Sequence, residues 1–140
     1  MKFSTRSSYG LRALSHLAKN YNQPRRGQAA KKPYSLAKIA REEKISQAYL
    51  ERLFAQLKRA GLVMSSKGMA GGYQLTKDPA QIAIFDVIST LEGSISVFHC
   101  VNSKGKVVCG VKACPSAQVY QKVQKAIADS LRKISLKDLI

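Results

Sequence analysis

Apolar residues recur at three- and four-residue spacing in five stretches of the chain, and each stretch predicts an amphipathic helix. The first carries Leu11, Leu14, Leu17, Ala18 and Tyr21, which predicts a helix over residues 5–20, capped by Ser4 or Thr5, with Arg6 and Arg12 left outside. The second places Leu36, Ile39 and Ala40 behind a cap at Ser35; Lys44-Ile45 reads as a turn with Ile45 buried, and Ser46 as the next cap. The third turns Leu50, Leu53, Phe54 and Leu57 inward and ends where Gly61 follows Ala60. The pattern then changes. Residues 63–65 and 73–75 read as two strands of a hairpin, and the glycines of its tip, Lys67-Gly68-Met69-Ala70-Gly71-Gly72, permit positive φ and close backbone approach. Asp78-Pro79 signals a fourth helix start, followed by Ile82, Phe85, Val87, Ile88 and Leu91 and an end at Gly93. Ile95, Val97 and Phe98 read as an extended connection. From Pro115 onward, Val119, Val123, Ala126, Ile127, Leu131 and Ile134 form one stripe on a long, otherwise polar helix, and residues 135–140 read as a short helix folding back.

Two short helices, a tight turn and a glycine-rich hairpin follow the order of a winged helix-turn-helix. The fold expected is mainly α with a small β wing: a DNA-binding domain over residues 1–92, a cysteine-containing loop over 93–114, and a long C-terminal helix and tail over 115–140. The outer face of the third helix carries Gln47, Tyr49, Glu51, Arg52 and Gln56. Long polar side chains at the start of an exposed helix suit base edges in a major groove, where Glu51 would accept from a cytosine amino group. A merely solvated face is the competing reading. Lys67 at the hairpin tip suits a minor groove or a phosphate. A single apolar stripe on the last helix fits a partner helix of a second copy, or packing on its own domain.

Charge changes the weighting. The 140 residues carry a net +16, and the excess is uneven: residues 1–77 hold 16 Lys and Arg against 3 Asp and Glu, the remainder 8 against 5. The basic half is the half with the helix-turn-helix, so a nucleic acid is the first partner to expect. A basic membrane-surface helix would need a large exposed apolar face, and these faces are committed to a core. No apolar run follows Met1-Lys2-Phe3, and none approaches a membrane span, so the expectation is a cytoplasmic protein with no membrane partner. Residues 22–34 hold two prolines, a glycine and four basic residues without hydrophobic period, and read either as a disordered surface insertion or as a basic arm that adds phosphate contacts.

Three cysteines, an odd number, argue against a disulfide framework. The spacing Cys100-x8-Cys109-x4-Cys114, with small flexible residues between, would let the sulfurs converge on iron–sulfur or zinc. Lys104, Lys106 and Lys112 would help to hold them as thiolates. The spacing is not that of a standard zinc finger, and a complete zinc site needs a fourth ligand. Three unrelated, partly exposed thiols are the plainer alternative. A thiol enzyme would need a base beside a cysteine in a pocket, and His16 and His99 show no evident pairing with Asp.

Tyr9-Gly10-Leu11-Arg12-Ala13, Tyr49-Leu50-Glu51-Arg52-Leu53, Gly61-Leu62-Val63 and Gly71-Gly72-Tyr73, together with the cysteines, resemble the Rrf2 family of bacterial transcription regulators over nearly the whole chain. The resemblance implies a non-enzymatic, homodimeric, sequence-specific regulator of double-stranded DNA, read as a repressor. It implies DNA contacts at Arg6, Gln47, Tyr49, Glu51, Arg52, Lys67, Gly71 and Gly72, and dimerisation through the last helix. It also implies a [2Fe-2S] cluster, or a [4Fe-4S] cluster, on Cys100, Cys109 and Cys114, whose state sets DNA affinity. Where some members place a histidine as fourth ligand this chain has Ala117, and where others place an acidic residue it has Ser8; His99 or an exogenous ligand are the other candidates. The wing departs from the family's Arg-Gly-Pro-Gly-Gly-Gly-Tyr, and Lys67 keeps the charge without the guanidinium fork. The alternatives are a regulator with no cluster that senses thiol oxidation or a partner protein, a structural zinc protein, and, remotely, a thiol enzyme.

Overall fold

The computed structural model describes residues 2–21, 33–111 and 113–140. The connector expected over residues 22–34 falls outside them except for Pro33 and Tyr34, and so does Lys112.

Helix α1 spans Thr5–Lys19, and the Ser4 hydroxyl caps it by accepting from the Arg6 amide. It buries Leu14, Leu17 and Ala18 of the predicted face and Ala13 beside them, with Leu11 and Tyr21 partly buried against the core. α2 (Leu36–Glu43) and α3 (Gln47–Arg59) follow. Between them Lys44 takes a left-handed conformation, φ 54° and ψ 45°, and the Ile45 amide donates back to the Ala40 carbonyl at 3.0 Å. That turn drops Ile45 into the core. Ser46 caps α3 through the Tyr49 amide, whereas Ser35 sits at the cap position of α2 without a side-chain bond. α3 buries Leu50, Leu53, Phe54 and Leu57 and ends in Gly61 at φ 74°.

Strands β1 (Val63–Ser66) and β2 (Gly72–Leu75) pair antiparallel, with Val63 opposite Leu75 and Ser66 opposite Gly72. A third partner joins them. Tyr34, expected in the connector, pairs with Tyr73 through two 2.9 Å backbone bonds. Gly72 is what lets it in: a Cβ there would strike the Tyr34 carbonyl.

The fourth predicted helix is two elements. Asp78 caps a 3-10 turn at Pro79–Gln81, Ile82 leaves in an extended conformation, and α4 begins afresh as Ile84–Glu92. The tail explains the break. Leu136 donates to the Ile82 carbonyl, Ile84 donates to the Ile134 carbonyl, and Leu136 is fully buried in the same core as α1. The segment that folds back is therefore a 3-10 turn, Leu136–Leu139, wedged against the opened stretch.

Helix α5 spans Ala117–Lys133. Its buried positions are Gln124 and Ala128, neither of them in the predicted stripe, and Leu131 packs on the core. Val119 and Val123 remain 58% and 38% exposed. Of the stripe, Leu131 meets the body of the protein, while Val119, Val123 and, at 41% exposed, Ile134 face outward.

Candidate nucleic-acid interface and cysteine segment

The outer face of α3 and the wing enclose one cleft of about 410 Å³, lined among others by Ser35, Gln47, Glu51, Ser66 and Lys67. Gln47, Glu51 and Arg52 are exposed on α3, as is Lys67 at the wing tip. The Gln47 side-chain amide donates to Glu51 Oε1 at 3.1 Å, so the two residues, one helical turn apart, present a joined donor–acceptor unit. The wing is fastened to α3 from both sides: Lys58 donates to the Ser65 hydroxyl at 2.6 Å, and the Thr76 hydroxyl donates to the Gly61 carbonyl at 2.6 Å.

Tyr49 lies differently. It is half-buried against α1, edge-on to Tyr9 at 6.0 Å, with its hydroxyl 3.5 Å from Thr5 Oγ1. Gly71 and Gly72 sit where Cβ atoms would strike the backbone of Ser66 and Tyr34 respectively, so their absence of side chains serves close approach within the wing. Arg6 and Ser8 are exposed in the first turns of α1.

Two acidic joints escaped the sequence reading. Glu43, at the end of α2, accepts from Arg12 Nε at 2.7 Å and lies 2.6 Å from His16 Nε2, while Glu42 lies 3.2 Å from His16 Nδ1. The His16 hydrogen bond and the Arg12 guanidinium hold the Glu43 carboxyl below its ordinary value, against the opposing effect of burial. His16 is thus structural, as its mid-helix position suggests. Glu92, the last residue of α4, accepts from the Ser4 amide at 2.9 Å, the Ser4 hydroxyl at 2.8 Å, and the buried Ser7 hydroxyl. Burial raises its pKa, and the Ser7 and Ser4 bonds outweigh burial to give a net lowering. The start of α1 is therefore clasped to the threshold of the cysteine segment. No periodicity marks either residue; only their neighbours across the fold do.

The cysteine segment holds a small hairpin. Val101 pairs with Val107, the Asn102 amide donates to the Lys106 carbonyl at 2.9 Å, and the Val108 amide donates to the Cys100 carbonyl at 2.9 Å. Cys100 and Cys109 stand at its two feet. Cys114 belongs to the start of α5, its carbonyl accepting from the Ala117 amide at 3.1 Å. All three thiols are half-buried and in no disulfide. Among the described residues no group of three or more His, Cys, Asp or Glu side chains is placed to hold a metal ion. Hairpin pairing and the helix start fix the backbone on either side of the thiols. The donors are right in kind for iron–sulfur chemistry, and in this arrangement they are not gathered into one set. His99 is exposed beside Cys100 and does not complete a set.

No helix among the described residues is long and apolar enough to cross a membrane.

A recognition helix, a fastened wing and a basic surface define a helix-turn-helix transcription regulator of the winged type. The family model described as "Rrf2: Iron-dependent Transcriptional regulator" matches residues 3–140, and the chain belongs to the Rrf2 family. It is 33% identical over 141 residues to the HTH-type transcriptional regulator IscR of Vibrio campbellii, covering 100% of this chain and 77% of that protein. The solved structure of CymR, the global cysteine regulator of B. subtilis, superposes with a TM-score of 0.78 at 32% identity, covering 99% of this chain and 95% of that one. That of T. potens IscR superposes with a TM-score of 0.74 at 32% identity, covering 99% and 85%.

Proposed function

We propose that this protein is a cytoplasmic, homodimeric repressor that reads double-stranded DNA by sequence, with α3 in a major groove and Lys67 in the flanking minor groove. The observation that carries the reading is the shared cleft: Gln47, Glu51 and Lys67 face one space between helix and wing, on a chain of net charge +16. Gln47, Glu51 and Arg52 meet base edges and neighbouring phosphates. Tyr49 sets the tilt of α3 by its contact with Tyr9. Support for the homodimer comes from the apolar residues left outside, Val108, Val111, Val119 and Val123, at the cysteine segment and the facing end of α5. Two copies present two reading heads to a two-fold operator.

The cysteine segment is the sensor. Three thiols on one segment and a family described as iron-dependent support a [2Fe-2S] cluster on Cys100, Cys109 and Cys114, which would supply redox and oxygen sensitivity; on this geometry the segment must rearrange to gather them. Three half-buried thiols in no disulfide support the second reading, sensing by thiol oxidation. Duplex titrations over a salt series test DNA binding: affinity falls steeply with salt, and Arg52→Ala or Lys67→Ala lowers the slope by about one. Affinity independent of salt would refute it. Iron and sulfide measured on protein isolated without oxygen separate the two sensing readings. Stoichiometric amounts support the cluster, and their absence supports the thiols.

A further inference from the structure

Between the cysteine hairpin and α5 lies a cleft of about 370 Å³ that the DNA-binding reading does not use. One wall is the turn around Lys104; the other is the face of α5 carrying Gln121, Gln124, Lys125, Asp129 and Arg132. Both walls are set in advance. Asn102 Oδ1 accepts from the Lys104 and Lys106 amides at 3.0 and 2.9 Å, which locks the turn. The Gln121 side-chain amide donates to the Gly105 carbonyl at 2.9 Å, which fixes the turn to the helix. Gln124, only 2% exposed, donates to the Ile95 carbonyl and accepts from the Val97 amide at 2.8 Å, which fixes the chain leading into the hairpin. A cleft held open by bonds of its own walls loses little entropy on filling.

The charges on these walls are unbalanced. Lys104, Lys125 and Arg132 face one carboxylate, Asp129. Asp129 takes Lys125 Nζ at 2.5 Å and Arg132 Nη1 at 3.3 Å, and Arg132 lies over the Phe85 ring at 4.1 Å, so both cations are steadied at the rim. The Lys104 ammonium has no partner among the described residues. The excess is two positive charges in a space of small-metabolite size.

We propose that this cleft binds a small dianion, a phosphate monoester or a dicarboxylate, bridging Lys104 of the sensor segment to Lys125 and Arg132 of α5. Planar guanidinium and mobile ammonium donors suit either group. Because the two walls belong to the sensor segment and to α5, an occupant would tie them together.

Calorimetric titration of the full-length protein, without DNA, tests this with inorganic phosphate and with succinate as separate probes at constant ionic strength. Saturable binding of either is expected, and which one binds distinguishes the phosphoryl from the dicarboxylate source. Lys104→Ala weakens it about tenfold or more, while Lys122→Ala, a charge lost from α5 outside the cleft, leaves it unchanged. Binding of neither probe, an equal response to sodium chloride, or an equal loss in Lys122→Ala would overturn the proposal. Since no duplex is present, failure here is separate from failure of the DNA-binding reading.

Discussion

Gly10 of α1 lies directly against Leu91 of α4, so close that a Cβ on Gly10 would overlap Leu91 Cδ1. The glycine of the Tyr-Gly-Leu-Arg motif is therefore a packing device: it lets α1 and the helix that leads to the cysteines approach without a spacer. Leu91 is buried, so a shift of its side chain has to be taken up by the packed core. Gly10→Ala is expected to lower unfolding free energy by about 1–3 kcal/mol, despite alanine's better helix propensity. Urea denaturation reads the outcome; a stabilised variant would show that the two helices part easily.

The opposite sign is expected at Lys44. Its left-handed φ of 54° in the helix-turn-helix corner strains a residue with a Cβ. Lys44→Gly should raise stability by about 1 kcal/mol, read as a higher thermal midpoint. The same variant removes a cation beside the reading helix, so duplex affinity should fall while stability rises.

Acid should loosen the joint between α1 and α2. The folded pKa of Glu43 lies below its ordinary value of 4.5, chiefly through the His16 hydrogen bond, so its contribution is present above that value and is lost as pH falls through the lower folded pKa. Glu92 acts in the same direction through Ser7 and Ser4, which outweigh the effect of its burial. Denaturation followed from pH 6 to pH 3 should show stability declining below about 4.5. In Glu43→Gln the decline is shallower. An unchanged pH profile in that variant would show that Glu43 is not among the groups responsible.

How much of this lay in the sequence depends on what carried each feature. The inward faces of α1 and α3 were legible because Leu14, Leu17, Leu53 and Leu57 repeat at helical spacing and the core obeys it. The turn at Lys44-Ile45 was legible from the two stripes on either side. Tyr34 was not: a one-residue partner to Tyr73 has no period to betray it. The break at Ile82 was hidden because Ile134 and Leu136, far along the chain, supply the backbone bonds that replace helix there. Gln124 was hidden for the reverse reason. A polar residue on a polar-looking helix gives no sign of burial until the backbone of Ile95 and Val97 is placed against it. The cysteine hairpin rests on Val101, Asn102 and Val107, and thiol spacing alone does not show it.

Gln124 makes its own prediction. Gln124→Ala leaves the Val97 amide and the Ile95 carbonyl unpartnered at the entry to the cysteine segment. A cost of about 1–3 kcal/mol is expected, concentrated locally. Hydrogen exchange checks this: the Val97 amide should lose protection while amides in α3 keep theirs. Uniform loss across the protein would show that the residue supports the fold as a whole and does not anchor the segment.

The last prediction concerns how sequence is read. Glu51 is an acceptor in a strongly basic setting, and its Oε1 is already engaged by the Gln47 amide, which leaves the second carboxylate oxygen for a cytosine amino group. A carboxylate near a duplex repels phosphate everywhere and is favourable only where that donor is offered. Glu51→Ala should therefore raise affinity for unrelated duplexes slightly and lower it for the preferred one, compressing the difference by about 1–3 kcal/mol at the cytosine position. It also frees the Gln47 side chain, so preference at the adjacent base should shift as well. Selection from a randomised duplex pool with wild type and variant measures both. If the variant selects the same sequences with all affinities moved equally, Glu51 acts only through its charge, and the Gln47–Glu51 unit is not the reading head.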